Sequence, residues 1–214
     1  MYWLGQDLVF PDHSEVNDEG IIAIGGDLSS ERLLMAYKLG IFPWFNEDEP
    51  ILWWFPHDRF VLFPEDLYVS KSMKKVFKDK TFTFTENKAF REVIINCSEA
   101  YRKGQDGTWI TNDMIEAYCN LHELGVAKSI EVWQNDELVG GFYGIEMGNI
   151  FCGESMFAKV SNASKAGFIQ FVAKYHSKYQ VIDCQVYTEH LASLGAVEIP
   201  SEVFLEYLED NNQS

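Results

Sequence analysis

Three polar residues stand inside apolar stretches, and their types could manage a proton. Glu154 lies in IFCGESMF, and Asp183 and Gln185 lie in VIDCQV. Burying a carboxylate or an amide costs free energy unless it is hydrogen-bonded or used. Residues two apart in a strand share a face, which puts Asp183 beside Gln185 and turns Cys184 the other way. A carboxylate next to an amide can orient a proton transfer or hold an amine. The same residues could serve as a satisfied internal hydrogen-bond network, and their types alone leave both readings open. His122 and His190 stand alone, without a Ser or Cys partner, and read as structural or surface residues. The GxSxG, HExxH and P-loop patterns are absent.

Residues 40–54, GIFPWFNEDEPILWW, are the second feature with chemical potential. Phe42, Trp44, Phe45, Trp53 and Trp54 crowd around Pro43 and Pro50, which predicts a segment that is no single helix or strand. Large aromatics on irregular backbone can wall a pocket for a flat or apolar ligand. They can also plug a core where a loop closes over it.

Elements must hold these residues in place. A helix is predicted from Ser29 or Ser30 to Gly40, and VLF at 61–63 reads as a strand ahead of Pro64. The domain boundary is placed there, giving units 1–63 and 64–214. Ser70 caps a basic helix, and TFTFT at 81–85 alternates like a strand. Asn87 and Thr111 cap two amphipathic helices, stopped by Gly104 and Gly125. Strands at 129–133, 137–147 and 149–157 follow, joined at Asn135-Asp136 and Gly148-Asn149 by turns short enough for hairpins. A helix over 162–179, a strand over 180–186 and short helices at 190–194 and 201–208 complete the chain. The layout is α+β: a small N-terminal α/β domain packed on a C-terminal domain with a central, mostly antiparallel sheet flanked by helices. The C-terminal order resembles that of acetyl-CoA-dependent N-acetyltransferases. Those enzymes cradle pyrophosphate on a glycine-rich loop, whereas MFAKVSNASK at 156–165 has no glycine.

Bulk properties narrow the function. The chain has 214 residues, 47% of them hydrophobic, enough for one large or two small domains. No apolar run approaches the ~18 residues that span a bilayer. MYWLGQDLVF lacks the basic start of a secretory signal, so a cytoplasmic protein is expected. Cys97, Cys119, Cys152 and Cys184 lack CxxC spacing, which predicts buried thiols and no zinc site. A net charge of −16 repels nucleic acid as a whole. RNA binding would therefore need a local patch, and SKSMKKVFKDK at 70–80 supplies one. Its lysines surround Met73, Val76 and Phe77 at helical spacing, and could equally be a solvated helix face.

Several strings together carry a family resemblance. GGDLSSERLLMAYKLGIFPWF (25–45), ILWWFPHDRFVLFP (51–64), GTWIT (107–111), LHELGVAKSIEVW (121–133), FCGESMF (151–157), NASK (162–165) and IDCQV (182–186) resemble the bacterial leucyl/phenylalanyl-tRNA–protein transferases. The likeness runs from about residue 20 to 200, with its motifs in order.

The resemblance implies transfer of Leu, Phe or Met from charged tRNA to a protein whose N-terminus is Arg or Lys. The new peptide bond would create a degradation signal. No metal or bound cofactor, no membrane and a monomer are implied. Trp44, Trp109, Phe142, Phe151, Gly153, Met156, Phe171 and Ile182 would form the aminoacyl pocket. Lys71, Lys75 and Lys78 would touch the tRNA acceptor stem, with Asp79 weakening that patch. Asp183 and Gln185 would stand at the reaction centre, Gln185 orienting the amine and Asp183 supplying negative charge. Glu154 would help form an acidic recess for the acceptor's Arg or Lys. Trp53 and Trp54 become scaffold for Trp44. Phe55, Asp58, Asp79 and Thr188 depart from the family's pattern. An acetyl-CoA-dependent N-acetyltransferase and a non-catalytic module for basic N-termini are the alternatives.

Overall fold

The computed structural model describes residues 2–100 and 109–212. Tyr101 and the helix stop expected at Gly104 lie outside them. Two sheets organise the chain. In the small one, β1 (Tyr2–Leu4) runs parallel to β2 (Ile21–Gly25). In α1 (Ser30–Lys38), Ser29 accepts a hydrogen bond from the Arg32 N–H, and Leu33, Ala36 and Tyr37 are buried. The aromatic segment then makes two short antiparallel strands, β3 (Phe42–Pro43) and β4 (Leu52–Trp54). It is more regular than its prolines predict. The sheet order β1-β2-β4-β3 places Pro43 on an edge, where its missing N–H breaks no ladder.

β5 (Asp58–Leu62) already belongs to the large sheet. The change of sheet therefore falls between Trp54 and Asp58, upstream of the boundary expected at 63/64. Next come α2 (Lys71–Lys78), β6 (Thr83–Glu86), α3 (Phe90–Glu99) and α4 (Asn112–Glu123). The central meander is β7 (Ala127–Gln134), β8 (Glu137–Met147) and β9 (Ile150–Ala158). Asn135 and Asp136, with φ of 51° and 64°, make the tight turn between its first two strands. α5 (Ala163–Tyr175), β10 (Val181–Gln185), α6 (Glu189–Ala192), β11 (Val197–Pro200) and α7 (Ser201–Asn212) close the chain.

The large sheet runs β11-β5-β10-β9-β8-β7-β6. Among the described residues of this sheet only β10 and β9 pair in parallel, so it is mostly antiparallel and the α+β class holds. One core joins α3 and α4 to the small sheet through Val93, Met114, Tyr118 and Trp53. The other joins α5 and α2 through Phe168, Phe171 and Met73. Among the described residues, no helix is long and apolar enough to cross a membrane. All four cysteines are buried thiols.

Candidate active site

The parallel pairing of β9 with β10 is short. It joins Ile150–Cys152 to Val181–Asp183 and ends there. β9 continues to Ala158, so the sheet opens between the two strands. A cavity of about 360 Å³ occupies this opening. Trp44, Trp109, Phe142, Met156, Phe168 and Ile182 supply apolar wall, and Glu154, Gln185, Ser164 and His190 bring polar atoms to it. That is a mostly apolar enclosure with a few convergent polar groups, as small-molecule sites usually are.

Both central polar side chains sit at breaks in strand register. Tyr143 pairs Ser155 while Gly144 pairs Gly153, so Glu154 is the extra residue on β9. Val61 pairs Asp183 while Phe60 pairs Gln185, so Cys184 is the extra residue on β10. A bulge bends a strand and re-aims a side chain. Gln185 also has φ of 64°, the left-handed region that residues with a Cβ avoid. Ile182, Cys184 and Gln185 consequently line the cavity, and Asp183 does not. The shared face expected for Asp183 and Gln185 fails because strict alternation fails at this bulge.

Asp183 turns instead to Arg59, which packs on Phe42 and Phe204 of the core shared with the small sheet. Arg59 Nε donates to its Oδ1 at 2.8 Å and Nη2 to its Oδ2 at 2.6 Å. The Gln185 backbone N–H also donates to Oδ1, at 2.9 Å. The negative charge of Asp183 is thus matched within the protein. Glu154 is the carboxyl that lines the cavity. Its Oε1 accepts from Gln185 Nε2 at 2.8 Å and its Oε2 from the Tyr118 hydroxyl at 3.1 Å. Tyr118 in turn is hydrogen-bonded to Tyr37 from α1. Burial pushes the Glu154 carboxyl up to about 7, against the pull of the Tyr37, Tyr118 and Gln185 hydrogen bonds, with Asp183 adding to the rise.

The expected pocket residues divide. Trp44, Trp109, Phe142, Gly153, Met156 and Ile182 line the cavity. Phe151 and Phe171 do not; they are buried behind Phe142, with ring centroids 6.2 and 5.3 Å from its own. Trp54 Nε1 donates to the Trp44 carbonyl, and the two rings lie 5.4 Å apart, so Trp54 props the wall. Trp53 is fully buried in the core, its Nε1 donating to Gly25. Lys71, Lys75 and Lys78 are exposed on α2, anchored by buried Met73.

His122 is structural: its Nδ1 lies 2.8 Å from the Ala127 carbonyl oxygen and its ring stacks on Phe90. His190 lines the cavity, and its Nε2 is buried without a hydrogen-bond partner among the described residues. Burial and nearby Lys165 push its pKa down, which keeps the ring neutral at pH 7. Arg59 escaped the sequence reading. A lone arginine in the apolar run RFVLF carries the same signal that singled out Asp183, since a buried charge needs a partner. Tyr37 and Tyr118 gave no such signal, because tyrosine on an apolar helix face is ordinary core.

The fold and site define an α+β protein with an apolar side-chain pocket that carries a carboxyl of raised pKa and an amide at its wall. The profile of the leucyl/phenylalanyl-tRNA protein transferase family matches residues 61–209, and that of the family's N-terminal domain matches residues 26–57. A leucyl/phenylalanyl-tRNA–protein transferase of Flavobacterium johnsoniae is 60% identical over 210 residues, 97% of this chain and 99% of its own. The counterpart in Flavobacterium psychrophilum is 58% identical, with the same two coverages. That of Pectobacterium carotovorum is 52% identical over 95% of this chain and 87% of its own. The chain belongs to the leucyl/phenylalanyl-tRNA–protein transferase family.

Proposed function

We infer that this chain moves Leu, Phe or Met from aminoacyl-tRNA to the α-amine of a protein beginning with Arg or Lys, which marks that protein for degradation. The observation that carries this reading is the cavity itself. Its aromatic and aliphatic wall suits an unbranched or γ-branched side chain, and Glu154 and Gln185 bring a carboxyl and an amide to the same cavity. Shape supplies only ~1–3 kcal/mol per methyl group, so discrimination among the three side chains is modest. Charged tRNA is a cytosolic substrate, and this reading puts the enzyme there, acting as a monomer.

The donor ester on the terminal ribose is already activated. The acceptor amine, with an ordinary pKa of ~7.7–8.0, is partly neutral at pH 7. Aligning the two accounts for much of the rate enhancement. The amine nitrogen attacks the ester carbonyl, the bond to the ribose oxygen breaks, and an amide forms. One proton leaves the nitrogen and one joins the ribose oxygen. Glu154, held near 7, is matched to accept the amine proton. Gln185 orients Glu154 and offers its amide to the amine, while Asp183 acts behind it. Glu154, when ionised, would be the charge that attracts a cationic acceptor. The exposed lysines of α2 give the tRNA its local basic contact on an otherwise acidic chain.

The test is transfer of labelled Phe from Phe-tRNA to peptides that begin with Arg, Lys or Glu. Label should enter the first two peptides and not the third or an N-acetylated Arg peptide. Absence of label from all four overturns the reading.

A further inference from the structure

The Arg59–Asp183 pair needs a reason beyond stability. Both residues are buried, at 1% and 0% exposure. Removing two charges from water commonly costs as much as their attraction returns. Here the cost is higher, because Arg59 Nη1 is also buried without a hydrogen-bond partner among the described residues. The guanidinium is wedged between two rings, 5.0 Å from the centroid of Phe42 and 4.5 Å from that of Phe204. Phe42 belongs to β3 and Phe204 to α7, so the small sheet and the last long helix grip one side chain. Its planar fork donates twice to Asp183. Asp183 is then held so that Oδ1 meets the Gln185 N–H. That bond secures Gln185 at its left-handed φ, and the Gln185 amide reaches Glu154 in the cavity.

We propose that Arg59 is a positioning residue for the transfer reaction: clamped between Phe42 and Phe204, it fixes Asp183, which holds Gln185 left-handed with its amide on Glu154. The inference rests on the aminoacyl-transfer reading. Lysine cannot replace Arg59, because an ammonium makes a point contact and leaves the carboxylate free to turn.

The experiment compares wild type, Arg59→Lys and the neutral pair Arg59→Met/Asp183→Asn, which leaves no uncompensated buried charge. Single-turnover Phe transfer is measured with Phe-tRNA and Arg-peptide both saturating, alongside the Kd for Phe-tRNA and a thermal melt. Both variants should melt cooperatively and lose about tenfold or more in rate, with Kd within about twofold of wild type. Arg59→Lys is then combined with Gln185→Ala. If Arg59 acts through Gln185, the combination is no slower than Gln185→Ala alone. Multiplying losses, or a wild-type rate in Arg59→Lys, overturns the proposal. Should Arg59→Lys not fold, the neutral pair decides by the same rate criterion. A wild-type protein that transfers no Phe overturns the parent reading instead.

Discussion

Glu154 is held near the pH at which an acceptor's amine also titrates, and burial is the cause. Transfer should therefore accelerate as pH rises through about 7 and this carboxyl loses its proton. Glu154→Gln should lose that inflection and keep only the later rise, from the amine itself. The same shift has a stability consequence. A raised carboxyl binds its proton more tightly in the folded chain, so its contribution to stability is intact below its ordinary value of 4.5 and is lost as pH rises through about 7. Above that, the ionised carboxyl costs the fold about 3 kcal/mol. Glu154→Gln removes the cost while slowing transfer, a trade of stability for activity of a familiar kind. Melting curves should coincide with wild type near pH 4 and separate progressively in the variant's favour toward pH 8. A gap independent of pH rules out titration of Glu154 in this range.

At the level of strands, the site exists because two of them break register side by side. The bulge at Glu154 and the bulge at Cys184 bring residues of neighbouring strands to one cavity where regular alternation would separate them. The left-handed Gln185 carries a local cost of about 1–2 kcal/mol relative to a residue without a Cβ. Gln185→Gly should accordingly melt higher than Gln185→Ala by about 1 kcal/mol, although both lose the amide and transfer slowly. Equal melting temperatures would mean that the backbone at 185 relaxes away from this conformation once the side chain is gone. This geometry also marks the limit of what was legible beforehand. The long strands and helices followed from periodicity and caps, and the polar residues Glu154, Asp183 and Gln185 stood out against apolar strands. Their grouping did not. A bulge is a mismatch between two strands distant in sequence, and no single string contains it. β1 and β11 escaped for a related reason, being short edges that exist only through remote partners. Phe151 and Phe171 have the right type for a pocket wall, yet Phe142 stands between them and the cavity.

For the whole molecule, a net charge of −16 must be reconciled with a polyanionic substrate. The basic residues are not spread evenly: Lys71, Lys74, Lys75 and Lys78 stand exposed on one helix. The chain just before α2 is tied to the cavity's rim, for the Tyr68 N–H donates to the Leu194 carbonyl, close after His190 and Leu191, which line the cavity. A tRNA acceptor end drawn onto α2 would thus arrive beside the site, while the rest of the surface repels the RNA body. Affinity should then depend on few contacts and fall steeply with salt, by roughly 0.7–0.9 in log K per phosphate neutralised for each decade of salt. Replacing Lys71, Lys75 and Lys78 together by Gln should weaken Phe-tRNA binding at low salt and reduce the slope of log Kd against log salt by about two to three. If the lysines hold the RNA and not the reacting atoms, the two proteins should bind alike at high salt, and their saturated transfer rates should agree within about twofold. An unchanged slope would make the helix an ordinary solvated face and send the search for the tRNA contact elsewhere on the chain.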